Sequence, residues 1–157
     1  ALVGAADKAR VYADTLRINL DAVAAQAARL PVRPKVYFEE WDEPLISGIQ
    51  WVAELVRIAG GNDIFPELAA ESLAKNRIMA DGAQVIARDP DIIFGSWCGK
   101  KFRPEKVAAR QGWDSISAVR NQHLFEIKSP IILQPGPAAL TDGLNEMARH
   151  IQAFARA

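Results

Sequence analysis

Asp91-Ile92-Ile93-Phe94-Gly95 decides the fold. Its apolar run is continuous and does not alternate with polar residues, which suits a strand covered on both faces. Such a strand needs helices on either side, and the flanking sequence supplies them. Upstream, Asp81 with Gln84 three residues later reads as a capping box opening a helix over Gly82 to Arg88, which Asp89-Pro90 ends. Downstream, a loop from Trp97 to Arg103 leads to Pro104, placed where a helix start tolerates proline, and to a short helix from Glu105 to Arg110.

Working outward, Val36-Tyr37-Phe38 reads as a first strand and His123-Leu124-Phe125-Glu126-Ile127 as a third. Between the first and second, Trp51, Val52, Leu55, Val56 and Ala59 share one helical face, and Gly60-Gly61 provides the left-handed stop. A last amphipathic helix runs from about Ala138 to Phe154, with Leu140, Leu144, Met147, Ile151 and Phe154 as its buried stripe. Helices and strands therefore alternate. The expected architecture is α/β, a three-layer αβα lobe with a small, mainly parallel sheet, and a fourth short strand fits around Arg77 to Met79.

One helix exceeds this plan. From Ala5 to Leu30 the chain is rich in alanine and straight-chain residues, with Val11, Leu16, Leu20, Val23 and Ala27 close to a 3.6-residue repeat, and it ends before Pro31 and Pro34. At 1.5 Å per residue it would be about 38 Å long, more than a lobe of this size needs to cover its own sheet. Part of it is expected to pack against something beyond this chain.

Composition narrows the function. The 157 residues carry 19 basic and 19 acidic side chains, a formal net charge of zero, so no global positive field exists to hold nucleic acid or an anionic membrane. Half the residues are hydrophobic, enough for a core without staples. The single cysteine, Cys98, excludes an internal disulfide and a cysteine-rich zinc site. No phosphate-cradling lysine loop, nucleophile elbow or two-histidine zinc motif occurs.

In an open α/β sheet, ligands bind at the loops leaving the strands' carboxyl ends. Here these are Glu40 to Gly48, Ser96 to Arg103 and Lys128 to Gly136. They hold Phe102 together with Trp41 and Trp97, and the two tryptophans read either as ligand contacts or as plugs packed back on the sheet. Trp51 and Trp113 sit among helical apolar positions and read as core, His150 as a surface residue near a helix C-terminus, and His123 as structural. The acidic run Glu39, Glu40, Asp42 and Glu43 reads as solvated loop surface. Cys98 beside Gly99 reads as a turn or buried thiol, although Lys100, Lys101 and Arg103 would lower its pKa were it a nucleophile.

The ordered series Phe38-Glu39-Glu40-Trp41-Asp42-Glu43-Pro44-Leu45-Ile46-Ser47-Gly48, Trp51, Glu54-Leu55 and Ala59-Gly60-Gly61-Asn62-Asp63-Ile64-Phe65 resembles the cobalamin/iron-siderophore class of ABC-importer substrate-binding proteins. Val85-Ile86-Ala87-Arg88-Asp89-Pro90-Asp91-Ile92-Ile93, Ser96, Cys98-Gly99, Gly112-Trp113, Ala118-Val119-Arg120 and Pro135-Gly136-Pro137 continue it. The resemblance covers about residues 5 to 155. It implies two α/β lobes joined by a long helix, with residues 1–31 as that helix, residues 32–157 as the C-terminal lobe, and the N-terminal lobe and export signal upstream of this chain.

By the same resemblance the protein is periplasmic or otherwise extracytoplasmic, not an enzyme, and needs no cofactor. It delivers a bulky metal chelate, corrinoid first and ferric siderophore or haem next, to an ABC permease in the membrane. Trp41, Trp97 and Phe102 would supply apolar contact, and Asp42, Ser47, Lys101 and Gln134 polar contact. Ala138 and Gln134 stand where the family often carries basic residues, which implies a ligand that is not strongly anionic. The rival readings are a small α/β enzyme using Cys98 or the acidic loop, and a stand-alone interaction module.

Overall fold

The structure, a computed structural model, describes residues 4–157; the first three residues of the expected 1–31 segment lie outside it. Helix α1 (Ala6–Ala27) precedes β1 (Lys35–Asp42), β2 (Leu45–Ser47), α2 (Gln50–Ala59), β3 (Asn62–Asp63), α3 (Pro66–Ala69) and β4 (Ile78–Met79). Then come α4 (Ala83–Arg88), β5 (Ile92–Gly95), α5 (Pro104–Ala108), α6 (Ser117–Arg120), β6 (Leu124–Glu126), α7 (Ser129–Ile132) and α8 (Leu144–Arg156).

The sheet is larger than expected. It has six strands in the order β4-β2-β1-β5-β6, with β3 also on β1. β3, β5 and β6 make the parallel part around β1, whereas β2 folds back antiparallel on β1 and β4 pairs antiparallel with β2. β1 is also longer than Val36-Tyr37-Phe38: it runs on through Glu39, Glu40, Trp41 and Asp42, because the strand pairs with β5 on one side and with the β2 hairpin on the other. Of the segment read as an acidic loop, Glu40 to Asp42 is therefore strand, and Glu43-Pro44 is the turn to β2.

β5 is buried along its whole length, as its sequence requires. Val36, Phe38, Ile92 and Phe94 point to one face and pack with Val52, Leu55 and Val56 of α2 and Leu144, Met147 and Ile151 of α8. Tyr37 and Ile93 point to the other and join Phe65, Met79, Trp97, Phe102 and Trp113. Each such large side chain contributes about 1.5–3 kcal/mol on leaving water, so two separate cores clamp one sheet. Gly60 ends α2 at φ 102° with Gly61 N–H bonded to Val56 O, the stop its sequence announces.

The expected capping box does not form: Gly82 is the residue preceding the helix, and Asp81 Oδ1 accepts the Ala83 N–H two residues on at 2.9 Å. At its other end Asp89 adopts φ 44° and its carboxylate takes the Ser117 N–H at 2.7 Å, tying α4 to α6. The last helix opens with a wide π turn over Ala139–Gly143 before α8 proper. His150 is not a surface residue: its ring lies 3.8 Å from that of Phe125 over the β6 edge, and burial, then Arg149, lower its pKa.

α1 divides into two halves. Val23 and Ala27 are buried and Asn19 Nδ2 donates to Leu140 O at 2.8 Å, so the C-terminal half belongs to the lobe. Val11, Tyr12 and Ile18 are exposed by 68, 53 and 68 %. Among the described residues no helix is long and apolar enough to cross a membrane.

Candidate functional site

The carboxyl ends of β1, β5 and β6 lie side by side, and the loops leaving them form one surface. Beneath it, β1 spends its acids on structure. Glu39 is fully buried; its carboxylate accepts Trp97 Nε1 at 2.9 Å and both Nη atoms of Arg110 at 2.6 and 2.9 Å. Desolvation opposes the charge on Arg110, but the Glu39 bonds outweigh it and raise its pKa. Glu40 pairs at 2.6 Å with Arg77, itself 2 % exposed, whose guanidinium also reaches Ser47 O. Asp42 is clamped by Lys100 and, at 3.0 Å, by Lys106. Burial pushes its carboxyl up, and the bonds and charges of the two lysines more than offset this, holding it below the ordinary range. The expectation of a solvated acidic surface is thereby corrected for Glu39, Glu40 and Asp42, each of which meets a cation from a distant segment, whereas Glu43 in the turn after β1 is exposed as expected.

Two recesses open on the surface. The first, about 480 Å³, is lined by Trp41, Pro44, Ile46, Ile78, Cys98, Glu40 and Lys75. Trp41 is half-buried and donates from Nε1 to Glu43 O at 2.8 Å, which fixes its ring as a wall. The second, about 290 Å³, lies between the β5 and β6 loops and is lined chiefly by Lys100, Lys101, Lys128, Glu126, Ser129 and Pro130. Lys100 connects the two, its Nζ 4.2 Å from the Trp41 ring centre. Glu126 receives the Phe102 N–H at 3.2 Å and Lys128 Nζ at 2.7 Å; burial raises its pKa, and Lys128 and Phe102 more than reverse that.

Of the seven residues expected to touch ligand, Trp41 and Lys101 stand on these recesses with free surface. Trp97 backs the second recess but is only 3 % exposed, and Phe102 is 1 % exposed. These two are corrected from rim to core: Gly95 has no side chain, so the Phe102 ring lies against its backbone, where an added Cβ would fall 1.9 Å from the ring, and Trp97 packs edge-on to it at 5.1 Å. Asp42 and Ser47 are buried, 5 and 2 % exposed, and offer no free surface either. Gln134 is exposed beyond α7 and lines neither recess.

Sequence reasoning missed Ile46, Ile78 and Lys75 on the first recess. Ile78 arrives only through β4 pairing with β2, Ile46 opposite Ile78, a contact with no local signature. Lys128 and Ser129 on the second lay in a loop already read as a strand exit and were legible. Cys98 is an exposed free thiol at the first rim, not a buried one.

Fold and recesses define a class, an α/β lobe that offers a ligand an apolar wall and a basic hollow at its strand ends. The chain belongs to the periplasmic binding protein family, whose profile matches residues 1–131, a family of binding proteins rather than enzymes. A vitamin B12-binding protein of Vibrio parahaemolyticus is 24 % identical over 124 residues, 78 % of this chain and 42 % of that protein. The fold is that of a periplasmic binding protein from Veillonella parvula (TM-score 0.74, 22 % identity, 94 % of this chain and 51 % of that one). It is also that of Staphylococcus aureus IsdE complexed with haem (TM-score 0.73, 19 % identity, 92 and 57 %). This chain thus spans about half the length of the relatives it matches.

Proposed function

We propose that this chain is the connecting helix (1–31) and C-terminal lobe (32–157) of the extracytoplasmic substrate-binding component of an ABC importer. The protein holds a bulky metal chelate, corrinoid first and ferric siderophore or haem next, between this lobe and an N-terminal one, and delivers it to a permease. One observation carries the reading: Trp41 walls an apolar recess at the carboxyl end of a parallel sheet, where α/β lobes take their ligands. The B12-binding relative and the haem-complexed structural neighbour supply the chelate classes. The exposed apolar residues of α1 suit a helix that continues into a second lobe.

The complete gene product carrying this sequence is titrated with cobalamin, cobinamide, haemin and ferric siderophores, following tryptophan fluorescence and visible spectra. Saturable one-to-one quenching by one of them is the expected result, and silence toward all of them overturns the reading. Trp41→Ala should then weaken the bound ligand by about 1–3 kcal/mol, the cost of losing an aromatic anchor.

A further inference from the structure

The chain is formally neutral, yet its second recess is not. Three ammonium groups, Lys100, Lys101 and Lys128, line it against the single carboxylate of Glu126. Glu126 is already bonded to Lys128 and to the Phe102 N–H, and Lys100 reaches out of the recess to Asp42. Lys100 and Lys106 share Asp42 and Lys128 holds Glu126, so Lys101 is left with no ion pair among the described residues. The buried Trp97 backs one side, a low-dielectric wall behind the uncompensated charge. The apolar recess begins where Lys100 lies over Trp41, so the two hollows adjoin across one lysine side chain.

Resting on the binding reading above, we propose that the ligand bears anionic oxygens at the edge of its apolar body, seated on Lys101 and Lys128 while the body lies on Trp41. This departs from the sequence expectation of a ligand that is not strongly anionic: the basic positions absent at Gln134 and Ala138 are replaced by lysines from the β5 and β6 loops. Lysine ammoniums are point charges without the forked geometry of arginine, so carboxylate and phosphodiester oxygens would serve equally. A chelate with a neutral or cationic rim leaves Lys101 unpaired and gains nothing from this hollow.

The test uses the complete gene product and two pairs of probes: haemin with its dimethyl ester, and cobalamin with cobinamide, which lacks the whole nucleotide loop, phosphodiester included. The acid-bearing member of at least one pair should bind about tenfold more tightly, and Lys101→Gln with Lys128→Gln together should remove about that factor while changing its partner less than about twofold, as two exposed charge contacts would. Preference within the haemin pair identifies carboxylate, and a preference within the corrinoid pair that the double variant removes identifies the phosphodiester. The partner's unchanged binding shows that the variant is folded. Equal binding within both pairs, or a silent double variant, overturns the inference and leaves the chelate reading intact. Failure of all four probes overturns the inference, and the chelate reading falls with it when the ferric siderophores are silent as well.

Discussion

Two aspartates at opposite ends of β1 have opposite fates. Asp42, at the carboxyl end, is held by Lys100 and Lys106, and its carboxyl stays below the ordinary range although burial pushes the other way. Asp63, in β3 beside Val36 at the amino end, is pushed up to about 6 by burial, and the backbone N–H groups of Phe65 and Ile64 and the charge of Arg88 only partly offset it. Arg88 is committed elsewhere, to Glu67 and to Ile64 O. Two lysines pair with Asp42 at the carboxyl end, whereas Asp63 at the amino end has no ion pair among the described residues. Burial alone does not set a carboxylate's charge; the neighbouring chain segments do.

The comparison breaks most sharply where a buried carboxylate loses its only cation. Arg110→Leu strands Glu39 and should cost about 3–5 kcal/mol in urea unfolding, the size expected for half of a buried pair; a loss below 1 kcal/mol would mean that Glu39 is not buried as a charge. The amino end should respond in the opposite sense. A carboxyl whose pKa is raised on folding stabilises below its unfolded value near 4 and loses that contribution as pH climbs through about 6. Asp63→Asn removes the loss, so the variant should be more stable than the parent by about 1–3 kcal/mol at pH 8, with the gain shrinking toward pH 4 in thermal or urea melts.

Asp42 tests the reverse sign with a smaller effect. Its folded pKa lies below the unfolded value near 3.8, so its contribution is present above that pH and fades as pH falls beneath it. Asp42→Asn should cost about 1–2 kcal/mol at neutral pH, the scale of lost charged hydrogen bonds, and about nothing near pH 2. A cost that persists at pH 2 would mean that the side chain acts by packing alone.

Much of the fold was legible because it rests on local periodicity. The uninterrupted Ile92-Ile93-Phe94 run named a strand buried on both faces, Gly60 named a helix end, and the stripe of Leu144, Met147 and Ile151 named the face of α8 that meets the sheet. The site was legible only as an address. The strand exits were placed, but which of their aromatics face solvent was not: Trp97 and Phe102 look like rim residues by position, and their burial depends on Gly95 leaving room for a ring and on Glu39 being present to accept the indole N–H.

By itself, then, the sequence determined the alternation of helices and strands, the two-sided core, and a family resemblance spread over ordered residues, because each follows from neighbours a few positions apart. The tertiary structure alone decided the fate of the charges. Glu39 meets Arg110, Glu40 meets Arg77 and Asp42 meets Lys100 and Lys106 across 37 to 71 residues of chain, and such partners have no signature in local spacing. What those pairings leave over, Lys101 beside a hollow and Trp41 on an open wall, is the surface available to a ligand.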